Sequence, residues 1–326
     1  MNKLGELENF VLSLIDRKMS INEICTLLNI SYQDMYGVLS SLRMHGINIT
    51  EKYYINGETR YEIARHSSLK NQYKNTIITS KDDNEFDMML ISDLHYGSYY
   101  ETNELLDEIY DFCVKNNIHV ILNIGDFLEG VNNLPNIRIP WDEQIYYALE
   151  KHPFDKNILE FLVLGNHDHS ILKTYGQDIR KVIKNIRGDI IPLNFGKADI
   201  KIKNDKIILQ HPILVKDFQN GSYKHTLIIR GHGHEPKVFL DGCNYVIYVP
   251  SLSNLNFVSC EFPGAIKMHI QMSCGNIINV ELDELAFINN KMYVTNKVSI
   301  FTGRGKDYSE KKVIENEEDC KVLKKV

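Results

Sequence analysis

Side chains that can bind a metal ion follow five short apolar runs of this sequence. Their carboxylate, imidazole and carboxamide groups suit divalent ions such as Mn²⁺, Fe²⁺ and Zn²⁺. No cysteine is among them, which disfavours a structural zinc site. In chain order, these residues are Asp93, His95, Asp126, Asn166, His167, Asp168, His211, His232 and His234.

Each of the five preceding runs has the length and composition of a buried strand. In open α/β sheets, sites form beyond the carboxyl ends of the strands, so we expect the five strand ends to converge on one cleft. Glycines directly before Asp126, Asn166 and His232 permit tight turns from strand to loop. The runs are residues 88–92, 120–124, 161–164, 207–210 and 227–230.

The order of the motifs is more specific than any one of them. Asp-x-His, Gly-Asp, Gly-Asn-His-Asp, a single His and Gly-His-x-His follow one another. This set resembles the signature of the calcineurin-like metallophosphoesterase superfamily, over about residues 86–300. The resemblance implies an α/β fold of the α+β sandwich type, in which two mixed sheets are flanked by helices. It also implies a dinuclear metal centre at the strand ends.

The resemblance further implies which residues hold the two divalent ions. Mn²⁺ is the metal we expect, with Fe, Zn or Ni as alternatives. The implied ligands are Asp93, His95 and His234 for the first ion, Asn166, His211 and His232 for the second, and Asp126 as a bridge.

The same resemblance assigns catalytic roles. His167 would stand just outside the metals and stabilise or protonate the leaving group, and Asp168 would orient His167 by accepting its other ring proton. A hydroxide held by ions roughly 3.5–4 Å apart would attack phosphorus in line, so we expect direct hydrolysis with inversion. His169 extends the motif but receives no role.

The chain divides into four predicted segments. Residues 1–65 contain three helical patterns and a hairpin signal at Asn56-Gly57, and they resemble a winged helix-turn-helix domain. Residues 66–85 are predicted to be a polar linker, 86–302 the metallophosphoesterase domain, and 303–326 a charged C-terminal tail.

The partner of the N-terminal domain stays open between nucleic acid and protein. Residues 1–65 carry seven Lys or Arg against eight Asp or Glu, and DNA affinity depends largely on contacts between cations and phosphates. The alternative is protein contact, with a homodimer as one form. The residues that could still contact a nucleic-acid strand are Tyr32, Gln33, Tyr36, Lys52 and Arg60.

The phosphoester class follows in part from what the motifs lack. Gly125–Gly130 has no arginine of the kind that protein phosphatases use to grip a phosphate monoester. That makes a monoester substrate less expected. The leading hypothesis is a nuclease or nucleic-acid phosphodiesterase acting on DNA or RNA, with the winged helix as a module that presents the substrate. One alternative is a small-molecule or cyclic-nucleotide phosphodiesterase or phosphatase. The other is a non-enzymatic regulator, which the intact ligand set disfavours.

Substrate selection is expected in residues 127–154, whose aromatic side chains could line the site or pack on the sheet.

Composition predicts a cytoplasmic protein that does not enter a membrane. The net charge is −6, which argues against a broadly basic nucleic-acid coat. No apolar run approaches the roughly 20 residues that a bilayer span needs. The six cysteines are dispersed and the first residues do not resemble a signal peptide, so we expect reduced thiols in the cytosol.

Overall fold

Two β-sheets face each other across a hydrophobic core. The computed structural model describes residues 4–64, 75–80, 82–132, 134–213, 226–254, 262–289 and 291–302. Met88, Leu122 and Phe161 from one sheet and Leu209 and Ile229 from the other lie in this core, each fully buried. The predicted two-sheet sandwich with flanking helices is confirmed.

The described residues form seven α-helices and fifteen strands. The helices are α1 Glu6–Asp16, α2 Ile21–Leu28, α3 Tyr32–Met44, α4 Asn103–Lys115, α5 Trp141–Lys151, α6 Asn166–Tyr175 and α7 Ile179–Ile186. The strands are β1 Ile49–Tyr54, β2 Thr59–Ile63, β3 Thr76–Ile78, β4 Glu85–Ile91, β5 Val120–Asn123, β6 Leu159–Leu164, β7 Ile190–Phe195, β8 Lys197–Ile202, β9 Asp205–Gln210, β10 Leu227–Arg230, β11 Lys237–Asp241, β12 Asn244–Tyr248, β13 Gly264–Ser273, β14 Asn276–Ile288 and β15 Lys291–Phe301.

The five strands predicted to lead into metal ligands are all present. Strands β4, β5 and β6 are parallel neighbours in a seven-stranded sheet of order β15-β14-β13-β4-β5-β6-β7. Strands β9 and β10 are parallel neighbours in the other sheet. A second apolar cluster covers the outer face of the seven-stranded sheet with α4, α5, α6 and α7, which explains why these strands are apolar on both faces.

The N-terminal hairpin extends the second sheet. That sheet has the order β11-β12-β10-β9-β8-β3-β1-β2, and β3 joins the hairpin to β8. Strand β3 lies inside residues 66–85, so the linker prediction was wrong at 76–78. Ile77 is buried in the central core, but three residues are too short a run to predict a strand. The four-part division of the chain otherwise stays a prediction.

The predicted N-terminal helices and hairpin are observed, and α3 packs against α7. Ser20 caps α2: its hydroxyl accepts from the Glu23 amide, and the Glu23 carboxylate accepts from the Ser20 amide. The Tyr36 ring lies on Gly188, where a β-carbon would come 2.3 Å from the ring. The assignment of this unit as a winged helix stays a prediction.

Two further predictions concern the termini and membranes. The predicted tail, residues 303–326, lies outside the described residues. No helix in the described ranges has the length and apolar character needed to cross a bilayer.

Candidate metal centre

The predicted ligands lie at the carboxyl ends of five strands. Each follows its strand directly or within four residues, because the loops turn sharply at this edge of both sheets. Asp93 and His95 follow β4, Asp126 follows β5, Asn166 begins α6 after β6, His211 follows β9, and His232 and His234 follow β10.

These side chains form three groups whose ligand atoms lie close enough together to hold a metal ion. Within each group, one ligand atom from each residue lies within 4.8 Å of the others. The groups are Asp93 with His95 and His234, Asp126 with His211 and His232, and His95 with Asp126 and His167. The first two groups match the predicted ligand division, apart from Asn166.

Asp126 stands between the first two groups. Its Oδ2 lies 3.0 Å from Nε2 of His211 and 3.9 Å from Nε2 of His95. A β-carbon on Gly165 would fall 2.2 Å from Oδ1 of Asp126. Glycine is therefore required next to the carboxylate, and it brings Asn166 to the same place.

The ligand loops hold an unusual backbone conformation. Asp93, His95, Asp126, His232 and His234 all have positive φ angles, between 49° and 71°. Non-glycine residues seldom adopt this region, and such residues cluster at functional sites. Hydrogen bonds between neighbouring loops hold the conformation: the Asp93 amide donates to Gly125 (2.9 Å) and the His95 amide to Asp126 (3.0 Å).

Buried ligand atoms at the centre make no hydrogen bond within the described residues. They are Oδ1 of Asp93, both ring nitrogens of His95 and Oδ1 of Asn166, together with the two carboxylate oxygens of Glu129 next to His95. Buried polar atoms are almost always satisfied, so the ligand atoms among them fit divalent cations. Nδ1 of His211 lies 2.6 Å from the Ile124 carbonyl and donates to it, which leaves Nε2 with a lone pair for a metal.

The charged side chains of the centre shift one another's pKa values. Burial by itself would raise the pKa of Asp93, but His211, His234 and His95 hold it well below its ordinary value. Burial would lower the pKa of His95, yet Asp93, Glu129 and Asp126 raise it to about 10. The carboxylates thus stabilise positive charge here, and divalent ions can take the place of the ring protons.

His167 lies beside this centre. Its ring centroid is 4.7 Å from that of His95, and its amide donates to Oδ1 of Asp126 (2.9 Å). Nδ1 of His167 lies 2.6 Å from the Glu129 carbonyl, which holds the ring by that nitrogen. The side chain is only 18% exposed, at the position where the sequence predicts a catalytic histidine.

The predicted role of Asp168 was wrong. Its carboxylate accepts from the amides of Phe127 (3.1 Å), Leu128 (2.8 Å) and Gly165 (2.8 Å) rather than orienting His167. As the third residue of α6, Asp168 turns back to cap the helix start. Burial and the charge of Asp126 raise the pKa of Asp168 to about 7. Asp168 therefore ties the Asp126 loop to the start of α6.

Glu129, which the sequence motifs did not single out, lies against the candidate centre. Its fully buried Oε2 lies 2.9 Å from Nδ1 of His95, and Oε1 lies 3.9 Å from Nδ1 of His167. A carboxylate three residues after Asp126, between apolar residues and a glycine, was the available signal.

Residues 127–154 place aromatic side chains mainly in packing contacts. Trp141 stacks on Tyr175 with ring centroids 3.8 Å apart. Tyr147 hydrogen-bonds with Arg138 (2.8 Å) and Glu101. Trp141 and Tyr147 therefore make packing contacts, as the second of the two alternatives predicted.

Most N-terminal candidates for nucleic-acid contact are engaged inside the molecule. Tyr36 is 8% exposed. The Tyr32 hydroxyl donates to Asn22, Lys52 pairs with Glu62 at 2.7 Å, and Arg60 pairs with Glu58 at 3.0 Å. Gln33 is exposed on α3.

Comparison with solved structures finds likenesses at low identity. The phosphoesterase YfcE from E. coli is 12% identical, with a TM-score of 0.43 over 65% of this chain and 98% of that chain. Vacuolar protein sorting 29 from Cryptosporidium parvum is 16% identical, with a TM-score of 0.40 over 67% and 100%. A protein described as a novel archaeal phosphodiesterase is 14% identical, with a TM-score of 0.37 over 66% and 100%.

Sequence comparison adds a curated protein and a family. The chromosomal replication initiator protein DnaA of Spiroplasma apis is 23% identical over 143 residues, which are 40% of this chain. The match spans about half of that protein, 53% of its length. The segment that carries the Asp-x-His, Gly-Asp, Gly-Asn-His-Asp and Gly-His-x-His motifs, residues 87–236, matches the calcineurin-like phosphoesterase family.

Proposed function

We propose that the chain is a dinuclear metal-dependent phosphodiesterase. The observation that carries this proposal is the position of Asp126 between two sets of ligands. Its Oδ2 faces His211 of one set at 3.0 Å and His95 of the other at 3.9 Å. A carboxylate so placed is suited to bridge two cations.

The residues present fit two divalent ions. Asp93, His95 and His234 would hold one ion, and Asn166, His211 and His232 the other, with Asp126 shared. When bound, such ions lower the pKa of water and neutralise charge on a phosphoryl group. The set of oxygen and imidazole donors without thiolate suits Mn²⁺, with Fe, Zn or Ni as alternatives.

The chain's own residues would position the substrate and move the proton. The Ile124 carbonyl accepts from Nδ1 of His211, so that ring presents Nε2 to the centre. The Glu129 carboxylate lies 2.9 Å from Nδ1 of His95, on the side of the ring away from Asp93 and Asp126. The Glu129 carbonyl accepts from Nδ1 of His167. His167 can therefore give a proton from Nε2 to the leaving oxygen and remain hydrogen-bonded as the neutral ring.

The leading substrate is a nucleic acid, cleaved as a phosphodiester. The motif from Gly125 to Gly130 has no arginine, so no cation of that motif grips a phosphate monoester. The curated relative is named as a chromosomal replication initiator, a name that points toward DNA.

A second candidate is a small-molecule or cyclic-nucleotide phosphodiesterase. The observation that favours it is the engagement of Tyr32, Tyr36, Lys52 and Arg60 in contacts within the molecule. A substrate-presenting surface needs its groups to face solvent, whereas Tyr36 is 8% exposed and the Lys52 side chain 18%. In this candidate the N-terminal unit serves protein contact or dimer formation.

One assay separates the candidates. Mn²⁺-dependent hydrolysis is measured on labelled single- and double-stranded DNA, RNA, cyclic nucleotides and bis(4-nitrophenyl) phosphate. Cleavage of DNA or RNA supports the nuclease. Cleavage of cyclic nucleotides or the nitrophenyl diester alone rejects the nuclease and supports the second candidate. Absence of both hydrolysis and metal binding rejects the enzyme and favours a regulator.

A further inference from the structure

A buried polar network lies directly behind the metal centre, and the catalytic proposal does not use it. Asn123 ends β5, Glu160 lies in β6, and His152 follows α5. Asn123 is fully buried, Glu160 is 1% exposed and His152 is 3% exposed. Polar groups at such depth are costly unless each is satisfied, so their presence needs a reason.

Glu160 is the hub of this network. Its Oε2 accepts from the Tyr110 hydroxyl (2.9 Å) and lies 2.8 Å from Nε2 of His152. Its Oε1 accepts from Nδ2 of Asn123 (2.8 Å). Burial by itself would raise the pKa of Glu160, but His152, Asn123 and Tyr110 hold it below its ordinary value. Glu160 is therefore ionised at neutral pH and fixes the orientation of the Asn123 amide.

The oxygen of the Asn123 side-chain amide lies at the turn that leads to Asp126. Its Oδ1 accepts from the amide of Gly125 (3.2 Å), the residue directly before Asp126. Gly125 has a φ of 100°, and its carbonyl accepts from the Asp93 amide (2.9 Å). The Asn123 side chain thus holds the turn that positions the carboxylates of Asp93 and Asp126.

The network reaches the centre a second time through Tyr96. Nδ1 of His152 lies 3.2 Å from the Tyr96 hydroxyl, and Tyr96 follows His95 in the chain. The Tyr96 amide donates to the Phe127 carbonyl (2.9 Å). His152 and Glu160 therefore support the loops of His95 and of Asp126 together.

We propose that Asn123, held in place by Glu160 and His152, is a positioning residue that sets the metal affinity of the Asp126 turn. This inference rests on the proposed function only in that the centre binds divalent ions. Replacement of Asn123 removes the acceptor for the Gly125 amide in a buried turn. The loop then relaxes, and Asp126 and Asp93 lose the spacing that two cations need.

The test compares Asn123→Leu with a matched control, Asn244→Leu. Asn244 is also a buried asparagine (4% exposed), and its Oδ1 accepts from the Thr226 amide at the same distance, 3.2 Å. Asn244 begins β12, so it lies at the strand end opposite to the metal centre. Mn²⁺ affinity by titration calorimetry and Tm without metal are measured for each. We expect Asn123→Leu to weaken Mn²⁺ binding by about 10–100-fold. We expect Asn244→Leu to lower Tm and leave Mn²⁺ affinity unchanged.

Glu160→Gln keeps the test decisive if Asn123→Leu does not fold. The amide keeps the shape of Glu160 but loses one acceptor, so we expect weaker Mn²⁺ binding in a folded protein. Unchanged Mn²⁺ affinity in either folded Asn123→Leu or Glu160→Gln would overturn the positioning role. An equal loss of affinity in Asn244→Leu would overturn it as well. Failure of the wild-type protein to bind Mn²⁺ would instead reject the proposed function.

Discussion

Nδ1 of His95 lies 2.9 Å from Oε2 of Glu129, with both side chains fully enclosed by the protein. Nε2 on the other side of the ring lies 3.8 and 3.9 Å from the carboxylates of Asp93 and Asp126. Carboxylates behind a metal-binding histidine fix its tautomer and raise its basicity. We therefore expect Glu129 to support His95 in metal binding without being a ligand itself.

Removal of Glu129 should weaken the centre. We expect Glu129→Ala to lower Mn²⁺ affinity by about 10–100-fold, because His95 loses its orientation. Glu129→Gln keeps an acceptor oxygen for His95 and should recover most of the loss. Titration calorimetry measures both variants. Wild-type affinity in Glu129→Ala would show that His95 needs no such support.

Asp126 should matter to both ions and Asp93 mainly to one. Asp126 belongs to two of the ligand groups, and Asp93 belongs to one. We expect Asp126→Asn to abolish binding at both sites and Asp93→Asn to leave one site able to bind metal. Mass spectrometry of the metal content after dialysis gives the number of ions per chain. Two ions retained in Asp126→Asn would contradict a bridging role.

His167→Ala should affect the reaction more than metal binding. We expect the variant to keep its metal ions and to lose the most rate on diesters with poor leaving groups, which need a proton. The matched control is His169→Ala. The His169 ring packs against Phe195 at 5.4 Å and has no assigned role, so its rates should equal those of the wild type. His167 also lies within ligand distance of His95 and Asp126, so loss of metal in His167→Ala would make it a ligand.

Protonation of Glu160 in the buried network should lower the free energy of unfolding at acid pH. His152, Asn123 and Tyr110 hold the pKa of Glu160 below its unfolded value despite burial. The stabilisation is therefore fully present above the unfolded pKa of about 4.3 and is lost as pH falls through the lower folded pKa. In metal-free protein, Glu160→Gln should show a shallower fall in the free energy of unfolding below about pH 4.3. Urea unfolding at several pH values measures it, with exposed Glu150→Gln as the control. An identical pH slope in Glu160→Gln and wild type would contradict the lowered pKa.

The contact between the N-terminal unit and the body makes opposite predictions for two glycines. A β-carbon at Gly188 would lie 2.3 Å from the buried Tyr36 ring, so Gly188→Ala should lower Tm. A β-carbon at Gly37, on α3, meets nothing within 4 Å. Gly37→Ala should therefore raise stability by about 0.5–1 kcal/mol. Calorimetry measures both variants. An unchanged Tm in Gly188→Ala would show that α3 does not depend on this contact.

The sequence sufficed for the ligands because each one follows a strong local pattern. Runs such as Phe161–Leu164 are apolar enough to predict a buried strand, and the motif after each run marks where the strand ends. The two-sheet sandwich then followed from the resemblance that these motifs carry. Parallel strands collect their carboxyl ends at one edge, so the clustering of Asp93, Asp126 and His211 was predictable.

The parts that escaped prediction depend on contacts between distant residues. Strand β3 is three residues long, and only its pairing with β1 and β8 makes it a strand. Asp168 follows His167 in sequence, but helix geometry turns its carboxylate toward the start of α6. Asn123 gives no sequence signal, because its role depends on Glu160, 37 residues away.

Hydrolysis of bis(4-nitrophenyl) phosphate with Mn²⁺ shows directly whether the protein is a metal-dependent phosphodiesterase. Rates are measured for the wild type with Mn²⁺, for the wild type after chelation, and for Asp126→Asn with Mn²⁺. We expect hydrolysis by the Mn²⁺-loaded wild type, loss of activity on chelation with recovery when Mn²⁺ returns, and no measurable rate for Asp126→Asn. Hydrolysis that persists after chelation would contradict a metal-dependent reaction. A wild type that binds two Mn²⁺ ions and cleaves neither this diester nor DNA or RNA would contradict a phosphodiesterase.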